Sequence, residues 1–196
     1  MTVRLHLAQD DSADRLLSRS PLALVAGMLF DQQVPMERAF AAPAAIARRL
    51  GREDLDARGI AQYDPQRFAA LLSDKPAVHR YPGSMARRLQ DLCRHLVEHY
   101  EGDAEALWRD VPTGAEVARR SRALPGFGEQ KSQILLALLG KQLGVRPQGW
   151  REAAGPYGED GTARSVADVH DPESLARVRA FKQERKAAEK ARTARS

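Results

Sequence analysis

The sequence predicts an all-α fold, on three observations. Period-two alternation of apolar residues is confined to Val3, Leu5 and Leu7. Beyond them apolar residues recur at helical spacing, most clearly over residues 85–100. There Leu89, Leu92, Leu96 and Val97 share one side, and Arg87, Arg88, Asp91, Arg94 and Glu98 the other. Capping residues, prolines and glycines then punctuate the chain at helix-length intervals. A length of 196 residues with 43% hydrophobic content is enough to bury a real core, as one medium domain or two small lobes. The net charge of +5 is compatible with a polyanionic partner without showing one.

In chain order, the alternating start reads as a short strand or an extended arm, and residues 14–17 as a first short helix. Ser20-Pro21 is an N-cap followed by proline at the first helical position. Residues 22–33 follow as a helix that is apolar almost all round and therefore central, with Asp31-Gln32-Gln33 as its polar end. Further helices are expected over 36–50, 55–60 and 65–72. Tyr81-Pro82-Gly83-Ser84 reads as a turn before the amphipathic helix of 85–100, and 104–108 as a short piece. Helices over 114–123 and 129–143 flank Leu124-Pro125-Gly126-Phe127-Gly128. Glycines at alternate positions allow a sharp turn with positive φ and leave no Cβ in front of the amides. A helix starting behind such a turn offers unpaired N–H groups and its dipole to a phosphate. From Gly144 the composition shifts to loops, and a last helix runs through Leu175, Val178 and Phe181. Residues 182–196 then read as a basic tail, a frayed helix or disordered, either solubilising or in nonspecific contact with nucleic acid.

The single cysteine, Cys93, rules out an internal disulfide and a cysteine-ligated zinc or iron–sulfur centre. It lies on the apolar stripe of its helix, where packing is its expected role. No apolar run resembles a signal peptide or a membrane span, so a cytoplasmic location is the default expectation.

Three stretches together resemble the helix–hairpin–helix DNA glycosylase superfamily, which includes endonuclease III and the adenine-mismatch and 3-methyladenine glycosylases. Leu124-Pro125-Gly126-Phe127-Gly128 is similar to the family's L-P-G-x-G hairpin. The helix ending Leu29-Phe30-Asp31-Gln32-Gln33 is similar to the segment that reaches DNA with a glutamine pair. Residues 81–89 resemble the family's arginine- or lysine-bearing helix entering the same lobe. The match spans residues 21–145 within a domain of 1–181. It implies two helical lobes with a DNA cleft between them, and a base-excision repair protein acting as a monomer on double-stranded DNA. It further implies Gln32 and Gln33 at the DNA, Gln33 filling the gap left by an extruded base. Leu124, Gly126, Gly128 and Lys131 would belong to the phosphate grip, with a monovalent cation on the hairpin carbonyls as the one ligand left open.

The match breaks at the chemistry. The family's lysine nucleophile falls on Gln130, with Lys131 one residue and about 100° further round the helix, so Lys131 is expected to point elsewhere and lyase activity is not expected. The family's aspartate falls on Gln148. Asp31, near the place where the adenine-mismatch branch carries a catalytic glutamate, is the substitute carboxylate; its alternative is a bond to a backbone amide or an arginine. Glu152 and Asp160 follow the missing aspartate with no fixed position. His79 and His95 read first as satisfied histidines, and Trp150 and Tyr157 as stacking surfaces or core cover. Two functions follow: a monofunctional N-glycosylase that hydrolyses the bond to a damaged or mismatched base, or a catalytically inactive lesion-binding protein using the same hairpin. A helical protein unrelated to DNA is the third reading.

Overall fold

A computed structural model describes residues 4–193, and among them the chain is helical without a strand. Val3 and the end of the expected tail lie outside these residues. The start of the chain is an extended arm: Leu5 and Leu7 are fully buried, and the Leu5 and Ala8 amides donate to Ser18 Oγ and Asp14 Oδ1 of the first helix, α1 (Asp11–Arg19).

The central helix is α2 (Pro21–Phe30), capped by Ser20, whose side chain accepts from the Ala23 amide. Nine of its residues are buried, as an all-apolar sequence requires. It packs on α3 (Met36–Arg49) and on α6 (Pro82–Tyr100). Gly27 lets α3 approach, since a Cβ there would sit 2.6 Å from the Phe40 ring. Two short helices, α4 (Ala57–Gln62) and α5 (Pro65–Ser73), start at Asp56 and Asp64 caps and lie against α6. Cys93 is buried in α6, its thiol pushed up to about 12 by desolvation, as packing without reactivity requires.

After a 3-10 turn at Ala104–Leu107 comes a second group of helices. It comprises α7 (Gly114–Arg122), α8 (Glu129–Gln142), the short α9 (Trp150–Ala153) and α10 (Pro172–Thr193). The end of α2 touches α8. Between α9 and α10 the chain is pinned by a pair that residue spacing did not reveal. Lys141 Nζ donates to Asp168 Oδ1 at 2.6 Å with both side chains nearly excluded from water. The other Asp168 oxygen accepts from Thr162 Oγ1 and from the Arg164 and Ser165 amides. A buried ion pair persists only when its remaining lone pairs are satisfied in this way.

Three boundaries differ from expectation. α2 ends at Phe30, so Asp31, Gln32 and Gln33 lie beyond the helix. Gln33 takes a positive φ of 56°, and Pro35 disfavours helix at the residue before it. α6 starts at Pro82, which turns the expected Tyr81–Ser84 turn into the first turn of the helix. The basic segment from Lys182 does not break away as a tail but continues α10 to Thr193.

Trp150 and Tyr157 are core residues, 7% and 6% exposed. The Trp150 ring lies where a Cβ on Gly140 would be, 2.4 Å away. Gly140→Ala is therefore expected to destabilise the protein by about 1–3 kcal/mol through overpacking, although alanine is the better helix former. Urea unfolding checks the sign, and a stabilised variant would show that the Trp150 contact yields.

Candidate functional site

Two glycines and a lysine bring the hairpin against the end of α2. In the turn, the Leu124 amide donates to Ser121 O and the Phe127 amide to Leu124 O. Leu124 and Phe127 point inward, 2% and 8% exposed. The Leu124 side chain thus anchors the hairpin, and any contact with DNA from this residue is made by its backbone. Gly126 has φ +83°, and a Cβ there would lie 2.5 Å from Leu29 Cδ1, so the position needs glycine both for conformation and for approach. Gly128 precedes α8 in an extended conformation with open space around it. No side chain caps α8, so its first amides face outward without a side-chain acceptor.

Lys131 turns back rather than away. Its Nζ donates to Met28 O at 2.7 Å and to Leu29 O at 2.9 Å, two carbonyls that the end of α2 leaves without helical partners. The expected divergence of Lys131 from Gln130 holds for direction: Gln130 Nε2 donates to Tyr157 Oη at 2.9 Å. Yet the lysine stem is long enough that both residues line one cavity. Burial pushes the Lys131 ammonium down to about 8, against the attraction of Asp31.

The two glutamines have different places. Gln32 is held on all sides. Its carbonyl meets His79 Nε2 at 3.0 Å, its side-chain amide donates to Leu29 O, and Arg88 donates to its Oε1. His79 Nδ1 accepts from the Tyr81 amide. Those two bonds require the neutral ring with its proton on Nε2; burial lowers its pKa in the same sense. Gln32 is thus a rivet of the loop, and the exposed Gln33 is the residue presented outward.

Asp31 sits beside Lys131 in a cavity of about 270 Å³ between the α2 end, α8 and α10. Its side chain is 18% exposed, and its partner is Lys182 Nζ of α10 at 3.5 Å, neither an amide nor an arginine. Lys182 was the residue least legible beforehand, because it falls in what reads as a featureless basic run. The structure does not bring Gln148 here: its backbone pairs with Pro112 and Gly114 at the start of α7, the end of that helix away from the hairpin. Glu152 is exposed, and Asp160 is paired with Arg151 at 2.5 Å; neither lines the cavity. His95 packs at a tilt against His99, ring centroids 4.4 Å apart, in a wider depression of about 720 Å³ between α6 and α7. That depression is larger than the Asp31 cavity, but of its carboxylates Asp103 is paired with Arg109 and Glu101 is exposed.

Among the described residues no cluster of His, Cys, Asp and Glu is placed to hold a metal ion, and no helix is long and apolar enough to cross a membrane. The sequence model of a family described as HhH-GPD superfamily base excision DNA repair protein matches residues 26–195. No curated protein and no solved structure matches the chain significantly.

Two outcomes follow from this geometry. Gly126→Ala is expected to lower both stability and DNA affinity, by strain at φ +83° and by the clash with Leu29; calorimetry and a binding titration read the two effects. Lys131 titrates near 8 in the fold and near 10.5 in the unfolded chain. Between those values the unfolded state holds the extra proton, so this group makes the protein more stable as the pH rises across that window. Lys131→Met should flatten the rise of Tm between pH 8 and 10.5.

Proposed function

The chain belongs to the HhH-GPD superfamily of base excision DNA repair proteins, and from that premise we propose that it is a monofunctional DNA N-glycosylase acting on duplex DNA. The observation that carries this reading is the half-buried Asp31 carboxylate in a cavity directly beside the hairpin. A base in a duplex is out of reach, so it is extruded into the cavity while Gln33 occupies its place in the stack. The amides around Gly126 and Gly128 hold the flanking backbone. The turn carbonyls of Ser121 and Leu124 each accept one amide and keep a second lone pair, the groups that would hold a monovalent cation beside that phosphate. Asp31 stabilises the positive charge that develops on the sugar and accepts the proton of the attacking water.

Hydrolysis is favoured over lyase chemistry by Lys131. It stands one residue past the place of the family's lysine nucleophile, which is Gln130, turned to the Tyr157 hydroxyl, and the Lys131 stem is drawn toward the Met28 and Leu29 carbonyls. The second reading, binding without catalysis, draws on one feature: Asp31 is paired with Lys182 before any DNA arrives.

Incubation with duplexes that each carry one modified base, followed by alkali, tests the proposal. Wild type is expected to leave abasic sites, and Asp31→Asn to lose at least about 100-fold in rate, the span of one acid–base group, with DNA affinity kept. Tight binding without release across the panel would favour the second reading. Borohydride added during turnover should trap no protein–DNA adduct; an adduct lost in Lys131→Met would overturn the assignment of hydrolysis.

A further inference from the structure

The charge of the Asp31 cavity bears on which base it accepts, given the glycosylase reading on which this step rests. Cations line it from three elements: Lys131 on α8, Arg164 in the loop before α10, and Lys182, Arg185 and Lys186 on α10. Against these five stand two lining carboxylates, Asp31 and Glu189, with Glu159 outside the lining paired to Arg164 at 3.0 Å, and Phe181 is the single aromatic side chain of the lining. Lys131 spends two of its three N–H donors on Met28 O and Leu29 O, and its Nζ lies 5.8 Å from the centre of the Phe127 ring. Among the described residues Arg185 and Lys186 have no carboxylate partner, and both are exposed. The lining is therefore rich in donors and positive charge, and poor in the aromatic faces that attract cations.

Two classes of damaged base leave the sugar differently. A base alkylated on a ring nitrogen is already cationic. When its C1′–N bond breaks, the electron pair neutralises it, and it needs no positive charge nearby. A neutral base with lactam carbonyls takes the same pair and leaves as an anion spread over its oxygens. That anion gains from an adjacent ammonium in a site of low dielectric, while a cationic base in the same place is repelled. We infer that the cavity accepts neutral, carbonyl-bearing bases, whose departing anion Lys131 and Lys182 stabilise, and excludes cationic alkylated purines. In the balanced step, the C1′–N bond breaks with its pair on the base. Water forms the new C1′–O bond and gives its proton to Asp31. Solvent finally protonates the released base.

The test uses the full chain and duplexes of one sequence carrying uracil, 5-hydroxyuracil, hypoxanthine or 7-methylguanine, with binding measured on the same duplexes. Release of at least one of the first three is expected, with 7-methylguanine lost no faster than without protein. Lys182→Glu should slow that release tenfold or more, and Lys182→Arg should restore most of it, a rescue that a merely structural role of the side chain would not show. Release of 7-methylguanine faster than of the lactam bases would overturn the inference and leave the glycosylase reading standing. Binding with no release of any of the four would overturn both.

Discussion

The interaction on which the site depends is the grip of Lys131 on the last carbonyls of α2. A helix end exposes carbonyls and the negative pole of its dipole, and here all four are answered. Gly27 O accepts from the Asp31 amide, Phe30 O from the Gln32 amide, Met28 O from Lys131, and Leu29 O from Lys131 and the Gln32 side chain. One ammonium therefore joins the two helical groups at the point where the hairpin comes closest to α2. With Gly126 admitting Leu29, it fixes the distance between the hairpin turn and the Asp31–Gln33 loop. The desolvation that lowers the lysine pKa is the cost of this arrangement, offset by two charge-assisted hydrogen bonds.

The helices were legible where a single face decides them. The stripe of α6, the Ser20-Pro21 start of α2 and the glycine turn before α8 all stand where local rules put them. What stayed hidden depends on partners distant in sequence. The end of α2 follows from Gln33 and Pro35 locally, but the role of Gln32 required Arg88 and His79, 56 and 47 residues away. Lys131 was legible as a residue off the family position, yet not as one reaching the same cavity, because spacing gives an angle and says nothing of the length of a lysine stem. The run after Phe181 has no apolar stripe, and stripe arguments are silent about a helix held mainly by its first turns, through Leu175 and Val178.

The departures at Gln130 and Gln148 have a common structural sense. Gln130 is turned to the Tyr157 hydroxyl, and so ties α8 to the segment following α9. Gln148 lies in a strand-like backbone pairing with Thr113. That route carries the chain after α8 to the far end of α7, so an aspartate at residue 148 would have no access to the Asp31 cavity. The carboxylate that stands beside the hairpin is Asp31, on the α2 side.

The course of the chain after α8 also explains why α10 matters. With that segment running to the start of α7, a wall of the cavity is supplied by the basic stretch of α10 and by Arg164, whose backbone amide donates to Asp168 of the buried Lys141–Asp168 pair. A wall made of lysine and arginine side chains encloses less rigidly than one of packed aromatics, because each stem keeps rotamer freedom that ordering must overcome. It contributes field instead of shape. Lys182 pairs with the Asp31 carboxylate, and on the proposed reading an incoming carbonyl oxygen would compete for the same ammonium. On that reading, entry of the base would free the carboxylate as positive charge begins to form on the sugar, and one ion pair would set both selection of the base and readiness for hydrolysis.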